Sequence, residues 1–331
     1  MKILYLDQNK WIDLARAAYG RASSPDLGEV LDFLRQAKEM KQVCLPISIA
    51  HYMETLNRKE ESSRARLGEF MWDLSGGVSM ARGPAILQYE IDEALWRRFP
   101  ESVNPAKLTP LRLLGHGLSH ARGEPVARFV VPPDWASFLS ARDSYAFECW
   151  ANEMIERSLL GAGPIPSLTT RMLQLYPPNL GEVEGHFASN LVTVRTWLAK
   201  LPQESLDDGV YLMSFTDILQ ALGDSLQRLG VAASAMASLG WHGIREFIDD
   251  LPTQRVATHL LRERARNQAL LAEGNDLYDW MSLVPAAAYC DVVVAENLFT
   301  DLVNRGTLRK QAIVTAKLRD VPLLLTSVSR C

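Results

Sequence analysis

The chain has 331 residues, of which 47% are hydrophobic and 22% are charged, and it carries a formal net charge of −4 with an isoelectric point of about 5.9. This composition is typical of a globular protein that is long enough for one large core or for two domains. It excludes an overall basic field, so any binding of nucleic acid requires a local basic patch.

The cysteines and the apolar runs predict the environment of the chain. Four cysteines are scattered without a CxxC pair, at Cys44, Cys149, Cys290 and Cys331. This spacing argues against a disulfide framework and a thiolate zinc site, and it favours a reducing, cytoplasmic location. The amino-terminal residues lack the pattern of a signal peptide, and no apolar run approaches the roughly 20 residues of a membrane span. We therefore expect no membrane partner.

The first predicted element is a buried strand that ends in an aspartate. Residues 3–6 form an apolar run, and Asp7, Gln8 and Asn9 follow it. Such a run, ended by a polar cluster, is typical of a central strand. Apolar residues at helical spacing over 11–18 predict a helix directly afterwards. Asp7 should therefore lie at the carboxyl end of the strand, which is where ligands bind in open α/β sheets.

A second strand and helix follow the same plan. The spacing predicts a helix over Asp26–Glu39 and a short strand over 43–47. Ser48 is suited to cap the next helix, over 49–57, because its hydroxyl can accept a free backbone N–H. Glu54 lies on this helix, so it is the second acid associated with a predicted strand.

The two ends of the chain differ from its middle. Apolar periodicity predicts helices separated by loops rich in proline and glycine, near residues 85–98, 133–160, 191–201, 215–229 and 244–251. Strand character returns only near the end, over a β-branched stretch within 290–297 and over 313–315 and 323–325. The predicted fold class is therefore α/β, with a parallel sheet formed by residues 1–75 and 270–331 and a large all-α insertion over 76–269.

Further acids accompany the late predicted strand. Glu296 follows this strand as Asp7 follows the first one, and Asp276 and Asp279 open the helix before it. If the strands are parallel neighbours, these carboxylates and Glu54 converge at one edge of the sheet. Their mutual repulsion would be costly without cations. A set of oxygen ligands without cysteine suits a hard ion such as Mg²⁺ or Mn²⁺.

This order of acids resembles that of the PIN-like nuclease family. The resemblance covers roughly residues 1–70 and 270–331 and rests on the order and context of the acids. It implies a parallel sheet with an acidic pocket, and it implies a metal-binding and catalytic quartet. The implied quartet is Asp7, Glu54, Asp279 (or Asp276) and Glu296. The family more often has Asp or Asn after its late strand, so either Glu296 or Asn297 faces the metal.

The resemblance implies a metal-dependent endoribonuclease with an RNA substrate. One or two bound Mg²⁺ or Mn²⁺ ions would lower the pKa of a water and orient it for in-line attack on a phosphodiester. Asn9, Asn275 and Asn297 would orient the ligands, and Lys10 would contact a substrate phosphate. A role as a toxin or defence effector, with a neutralising protein partner, is a further expectation from this resemblance.

Two other functions stay open from the sequence. Taken singly, Asp7 can be a helix cap, and Asp276 and Asp279 can interact with a helix dipole, so the fold could serve as a non-catalytic scaffold that binds RNA or protein. An aspartyl phosphatase that uses Asp7 is a third hypothesis, although that chemistry requires a carboxylate where Asn9 stands. The basic run over 262–266 is expected to be a solvated helix face, unless it lines the acidic pocket and holds the substrate backbone.

Overall fold

The computed structural model of the chain describes residues 1–22, 24–124, 128–136, 138–161, 180–267 and 276–327. Its strands are β1 (Lys2–Leu6), β2 (Val43–Cys44), β3 (Val78–Met80), β4 (Leu114–His116), β5 (Val292–Val294) and β6 (Ile313–Thr315). They form a four-stranded sheet with the order β2-β1-β5-β6 and a two-stranded sheet, β3-β4. The protein is therefore a mixed α/β protein, which confirms the predicted class at this level.

Helices make up most of the described residues. They are α1 (Gln8–Ala18), α2 (Asp26–Glu39), α3 (Ile49–Leu56), α4 (Glu61–Ser75), α5 (Gly83–Arg98), α6 (Gly117–Arg122), α7 (Pro133–Ala136), α8 (Ala141–Gly161), α9 (Leu180–Leu198), α10 (Leu206–Leu229), α11 (Ala233–Ala237), α12 (Gly240–Asp249), α13 (Pro252–Arg266), α14 (Asp276–Tyr289), α15 (Asn297–Asn304) and α16 (Val321–Ser327). No helix in this part of the chain combines the length and the apolarity that crossing a membrane requires.

The chain divides into two compact units. The first contains Met1, residues 10–82 and residues 114–178, and the second contains residues 2–9, 83–113 and 179–331. This division differs from the predicted one, because helices from the middle of the chain belong to the same unit as β1, β5 and β6. The helices of the predicted insertion are thus divided, since α6, α7 and α8 belong to the first unit whereas α5 and α9 to α13 belong to the second.

Three parallel strands organise the second unit. β1 pairs with β5 in a register that sets Leu6 opposite Val294, and β5 pairs with β6 so that Val294 lies opposite Thr315. All three residues of β5 are fully buried, as expected for a strand of a parallel sheet that is covered on both faces. Because the strands are parallel, their carboxyl ends meet at one edge. The predicted strands at 3–6 and 313–315 are confirmed, and the one predicted within 290–297 is confirmed over Val292–Val294.

The opposite edge of these strands is fixed by a buried acid. Asp291 immediately precedes β5, and its Oδ2 accepts a hydrogen bond from the backbone N–H of Ile3 at 2.6 Å. The Asp291 side chain is buried. It therefore lies at the amino ends of β1 and β5, away from the edge at which Asp7 and Glu296 follow their strands.

The core of the second unit is helical. Apolar side chains of α5, α10 and α12 pack together, among them Ile91, Leu222 and Phe247, each buried. Asp92 is fully buried beside this cluster, and it accepts hydrogen bonds from the Arg228 guanidinium and from Ser225 Oγ at 2.7 Å. A buried carboxylate is stable only when it is paired and hydrogen-bonded in this way, so the network ties α5 to α10.

Helices also dominate the first unit. Gly68 of α4 and Gly161 of α8 meet so closely that a Cβ on Gly68 would lie 2.3 Å from the Gly161 Cα.

The start of α3 is fixed by a capping box, in which the Ser48 N–H donates to His51 Nδ1 at 2.9 Å. This capping role accounts for His51 and confirms the predicted start of the helix that carries Glu54.

Two sequence expectations about elements are wrong. The predicted strand over 323–325 is part of helix α16, since a three-residue apolar run fits either structure, and here Leu325 is buried while Leu323 is 71% exposed. The predicted all-α insertion contains the antiparallel pair β3-β4. Each of these strands has only three residues, and Gly115 and His116 of β4 carry no strand signal of their own, so the pairing itself determines the strand.

Candidate acidic site at the strand ends

Asp7 lies at the carboxyl edge of the parallel strands. Its backbone N–H donates to the Val294 carbonyl at 2.9 Å, which extends the β1-β5 pairing by one step. Its Oδ1 accepts from the Gln8 N–H at 2.7 Å, so one carboxylate oxygen contacts the first turn of α1. The side chain is only 7% exposed. Asp7 is thus held at the junction of a central strand and a helix, as the sequence predicts.

Glu296 lies at the same edge, one strand away. It follows Ala295, whose N–H donates to the Thr315 carbonyl at 3.0 Å, and it occupies the N-cap position of α15. The Glu296 side chain is exposed, and its Oε1 accepts a hydrogen bond from Asn9 Nδ2. The first turn of α1 is therefore joined to the start of α15 through these two side chains.

The first turn of α14 brings two more acids to this edge. Burial and, after it, the charges of Asp7, Glu296 and Asp276 together raise the pKa of Asp279 to about 8, in opposition to Arg264. Charges shift a neighbouring pKa in this way only over short distances. The four carboxylates therefore form one electrostatically coupled group within the second unit.

Asp276 has a cation of the chain as its partner. Arg264 Nη1 and Nη2 donate to the two Asp276 carboxylate oxygens at 2.9 and 2.6 Å, and the two side chains are 9% and 10% exposed. Two parallel charge-assisted bonds of this kind are the strongest form of arginine–carboxylate contact. Asp276 is thus neutralised by Arg264, which distinguishes it from Asp279 as a candidate ligand.

Arg264 is the residue of this site that sequence reasoning missed. It lies in the basic run over 262–266, for which the sequence leaves open a solvated helix face or a place beside the acidic pocket, and Arg264 itself is buried against Asp276. A second missed residue is Thr315, the last residue of β6, whose Oγ1 donates to Asp320 Oδ2 at 3.2 Å. A polar residue at the end of a predicted parallel strand was the available signal for Thr315, whereas no local pattern indicates the partner of Arg264.

The other predicted site residues are Glu54, Lys10, Asn297 and Asn275. Glu54 is half-buried on α3 in the first unit, and Lys10 is half-buried in the first turn of α1. Asn297 is exposed at the start of α15. Asn275 lies outside the described residues. The structure thus brings together four of the five predicted acids in one unit, and it assigns Glu54 to the other unit.

The donor set fits a hard cation in kind. Every candidate ligand is a carboxylate or amide oxygen, which is the preference of Mg²⁺ and Mn²⁺. Burial first, and then the neighbouring acids, raise the pKa of Asp279. Among the described residues, no group of three His, Cys, Asp or Glu side chains is already arranged as a metal site. The four carboxylates are therefore coupled through their charges without forming a ready-made coordination site in the described part of the chain.

The fold and the site define a class of protein, namely an α/β protein with an acidic cluster at the carboxyl edge of its parallel strands. No protein-family model, curated protein or solved structure matches the chain. A more particular assignment therefore depends on the residues themselves.

Proposed function

We propose that this protein is a metal-dependent ribonuclease with a PIN-like domain. The observation that carries the proposal is the arrangement at the carboxyl edge, where Asp7 ends β1, Glu296 follows the adjacent parallel strand, and Asn9 hydrogen-bonds to Glu296. The position of Asp279 in the first turn of α14, with a pKa raised to about 8 by burial and by these acids, supports it. Converging carboxylates at a ligand-binding edge favour a cation.

Each side chain has a distinct task in this proposal. A bound Mg²⁺ or Mn²⁺ ion would supply an activated water and would stabilise charge on the leaving oxygen of a phosphodiester. Asp7, Asp279 and Glu296 hold the ion, and Asn9 orients Glu296 through its hydrogen bond. Asp276 stays with Arg264 and adds negative charge without being a direct ligand.

Asp279 also links ion binding to pH. Its raised pKa means that it keeps a proton near neutral pH when no cation is present. A carboxylate must lose its proton to hold a metal ion, so binding releases this proton and becomes tighter as pH rises. We further propose RNA as the substrate, the cytoplasm as the location, and a neutralising protein partner if the activity is that of a toxin or defence effector.

A cleavage assay tests the proposal. Single-stranded RNA, tRNA and single-stranded DNA are incubated with the full chain in Mn²⁺, in Mg²⁺ and in EDTA, beside the variant Asp7→Asn. The matched control is Asp301→Asn, since Asp301 is an exposed acid of α15 that pairs with Arg305. We expect cation-dependent cleavage of RNA that falls at least about 100-fold in Asp7→Asn, the size seen when an essential charge contact is lost, and that persists in the control.

Two outcomes would contradict the ribonuclease. One is equal cleavage by Asp7→Asn, and the other is the absence of cleavage together with no Mn²⁺ binding by calorimetry. Either outcome would favour a non-catalytic scaffold that binds RNA or protein. The ion pair of Asp276 with Arg264 supports this alternative, because it gives one of the acids a structural role. Hydrolysis of small phosphomonoesters would instead indicate the phosphatase, but Asn9 is engaged with Glu296 at the position where that chemistry needs an acid.

A further inference from the structure

Arginine side chains line two cavities, and the two differ in whether acidic side chains balance the arginine charges. A cleft of about 600 Å³ in the second unit is lined by as many acids as arginines. Two of its arginines are in ion pairs, since Arg262 Nε contacts Asp207 at 2.8 Å and Arg266 contacts Glu263 at 3.0 Å. The acids and the arginines of the lining are equal in number, so the cleft has no excess of positive charge that would call for an anionic ligand.

The other cavity lies within the first unit, and no acidic side chain of its described lining balances its arginines. Its volume is about 450 Å³, and it is formed by α1, by the residues after α3 and by the start of α4. Four arginines line it, Arg16, Arg21, Arg58 and Arg66, together with Ser63 and Tyr19, and its described lining contains no acidic side chain. We call it the arginine pocket. Its lining carries four positive charges.

The nearest carboxylates do not neutralise these arginines. Arg16 approaches Asp13 at 3.5 Å and Arg66 approaches Glu60 at 3.9 Å, with both arginine side chains at least half exposed. Exposed pairs of this length contribute about 0–1 kcal/mol. Both acids lie outside the lining of the pocket, so the inward-facing positive potential is retained.

Arg58 has unused hydrogen-bond capacity. Its Nη2 donates to Ser63 Oγ at 3.2 Å, while its Nε is buried and has no hydrogen-bond partner in the described part of the chain. A buried donor without an acceptor costs about 1–3 kcal/mol. An anion that enters the pocket and accepts from this guanidinium would relieve part of that cost.

The number of arginines around the pocket suits a phosphate better than a singly charged anion. Guanidinium groups match the oxygens of phosphate in pairs, and four of them around one concavity would repel each other unless an anion of high charge density lies between them. At about 30 Å³ per water molecule, the cavity holds on the order of 15 waters, so it is large enough for a phosphate that is part of a larger molecule.

We propose that the arginine pocket binds phosphate groups of RNA. This inference rests on the proposed ribonuclease function and names the surface that holds the substrate backbone. Arg16 lies on α1, eight residues after the first residue of that helix, or about 12 Å along its axis. Arg58 and Arg66 line the same pocket, and Ser63 contributes a hydroxyl to it.

A binding assay without cleavage tests this pocket. The parent is the full chain with Asp7→Asn in EDTA, and the probe is a fluorescently labelled single-stranded RNA whose affinity is measured by anisotropy over a series of salt concentrations. Arg16→Gln, Arg58→Gln and the double variant Arg58→Gln/Arg66→Gln are compared with the parent. The control is Arg35→Gln, because Arg35 is an exposed arginine of α2 in the same unit that pairs with Asp32 at 3.5 Å.

We expect the double variant to bind RNA at least about 10-fold more weakly than the parent. The negative slope of log affinity against log salt should become shallower by about 1.4, which corresponds to the loss of two phosphate contacts on a single strand. Arg16→Gln should have a smaller effect in the same direction, and Arg35→Gln should stay within about 2-fold of the parent. Inorganic phosphate and adenosine monophosphate, added as competitors, should displace the RNA from the parent.

Unchanged RNA affinity and salt slope in Arg16→Gln and in the folded double variant would overturn the proposal, and this holds even if inorganic phosphate binds the pocket. Because Arg16 is 58% exposed, its variant keeps the test informative if the double variant fails to fold. The assay needs neither a metal ion nor cleavage, so its failure is distinguishable from failure of the nuclease assay.

Discussion

Replacing Asp279 by asparagine should stabilise the protein when no divalent cation is present. The pKa of Asp279 is raised from 3.8 to about 8, first by burial and then by neighbouring carboxylates. In the unfolded chain this carboxyl is ionised at pH 7, so the folded protein must keep a proton that the unfolded chain has lost. At about 1.4 kcal/mol per pH unit, this costs about 4 kcal/mol at pH 7. Asparagine resembles the protonated acid in shape and has no proton to lose.

The sign and the pH range follow from the direction of the shift. For an acid with a raised pKa, stability is highest below about pH 4, where both states are protonated, and it is lost as pH rises toward 8. We therefore expect Asp279→Asn to raise the free energy of unfolding by about 2–4 kcal/mol at pH 7 in EDTA, and the gain should shrink toward zero at pH 4.

Urea unfolding in EDTA over pH 4–9 measures this difference, with Asp301→Asn as the control at an exposed acid. Excess Mn²⁺ should narrow the gap, because a cation bound by the parent stabilises only its folded state. A variant that is no more stable than the parent at pH 7, or a gain that is the same at every pH, would refute the reasoning that Asp279 carries uncompensated charge.

Two further predictions concern packing and pairing. Arg264→Met should lower the free energy of unfolding in urea by about 3–5 kcal/mol, because Asp276 stays buried without its cation. The double variant Arg264→Met/Asp276→Leu should recover most of this loss. A double variant as unstable as the single one would argue against a pairwise contact. Gly68→Ala should lower the melting temperature, because the new methyl group would lie 2.3 Å from the Gly161 backbone. Gly28→Ala on α2 meets nothing within 4 Å, so it should raise the free energy of unfolding by about 0.5–1 kcal/mol. Equal effects of the two variants would contradict the close contact between α4 and α8.

The sheet edge was predictable because local signals and topology agree there. An apolar run that ends in an acid marks both β1 and β5, and parallel pairing brings Asp7 and Glu296 to the same edge. The first turn of α14 could be placed beside them because its helix leads into β5. Each step uses only periodicity and the direction of the strands, which a single sequence contains.

The partners of these acids were not predictable from the same signals. Arg264 sits in a run of charges whose spacing is equally typical of a solvated face, and only the packing of α13 beside α14 buries it against Asp276. The arginine pocket likewise draws its residues from three separate stretches, around Arg16, Arg58 and Arg66. Contacts of this kind depend on tertiary packing, which overrides local pattern.

The division into units shows the same limit. The helical character of the middle of the chain was predicted, yet residues 83–113 belong to the same unit as β1 and β5, whereas residues 10–82 belong to the other. Composition distinguishes helical from strand-rich stretches, but it does not say which helices share a core. The cluster of Ile91, Leu222 and Phe247 joins α5 to helices that follow it by more than 100 residues.

The pairing of β1 with β5 has a consequence for the order of events during synthesis. Leu6 pairs with Val294, so β1 leaves the ribosome well before its neighbour in the sheet exists. At about 5–20 residues per second, roughly 15–60 s separate the two. Throughout this interval Asp7 is present without Glu296, and the nascent chain has no acidic edge. On the proposed function, the protein therefore cannot cleave the message that encodes it until translation has passed β5.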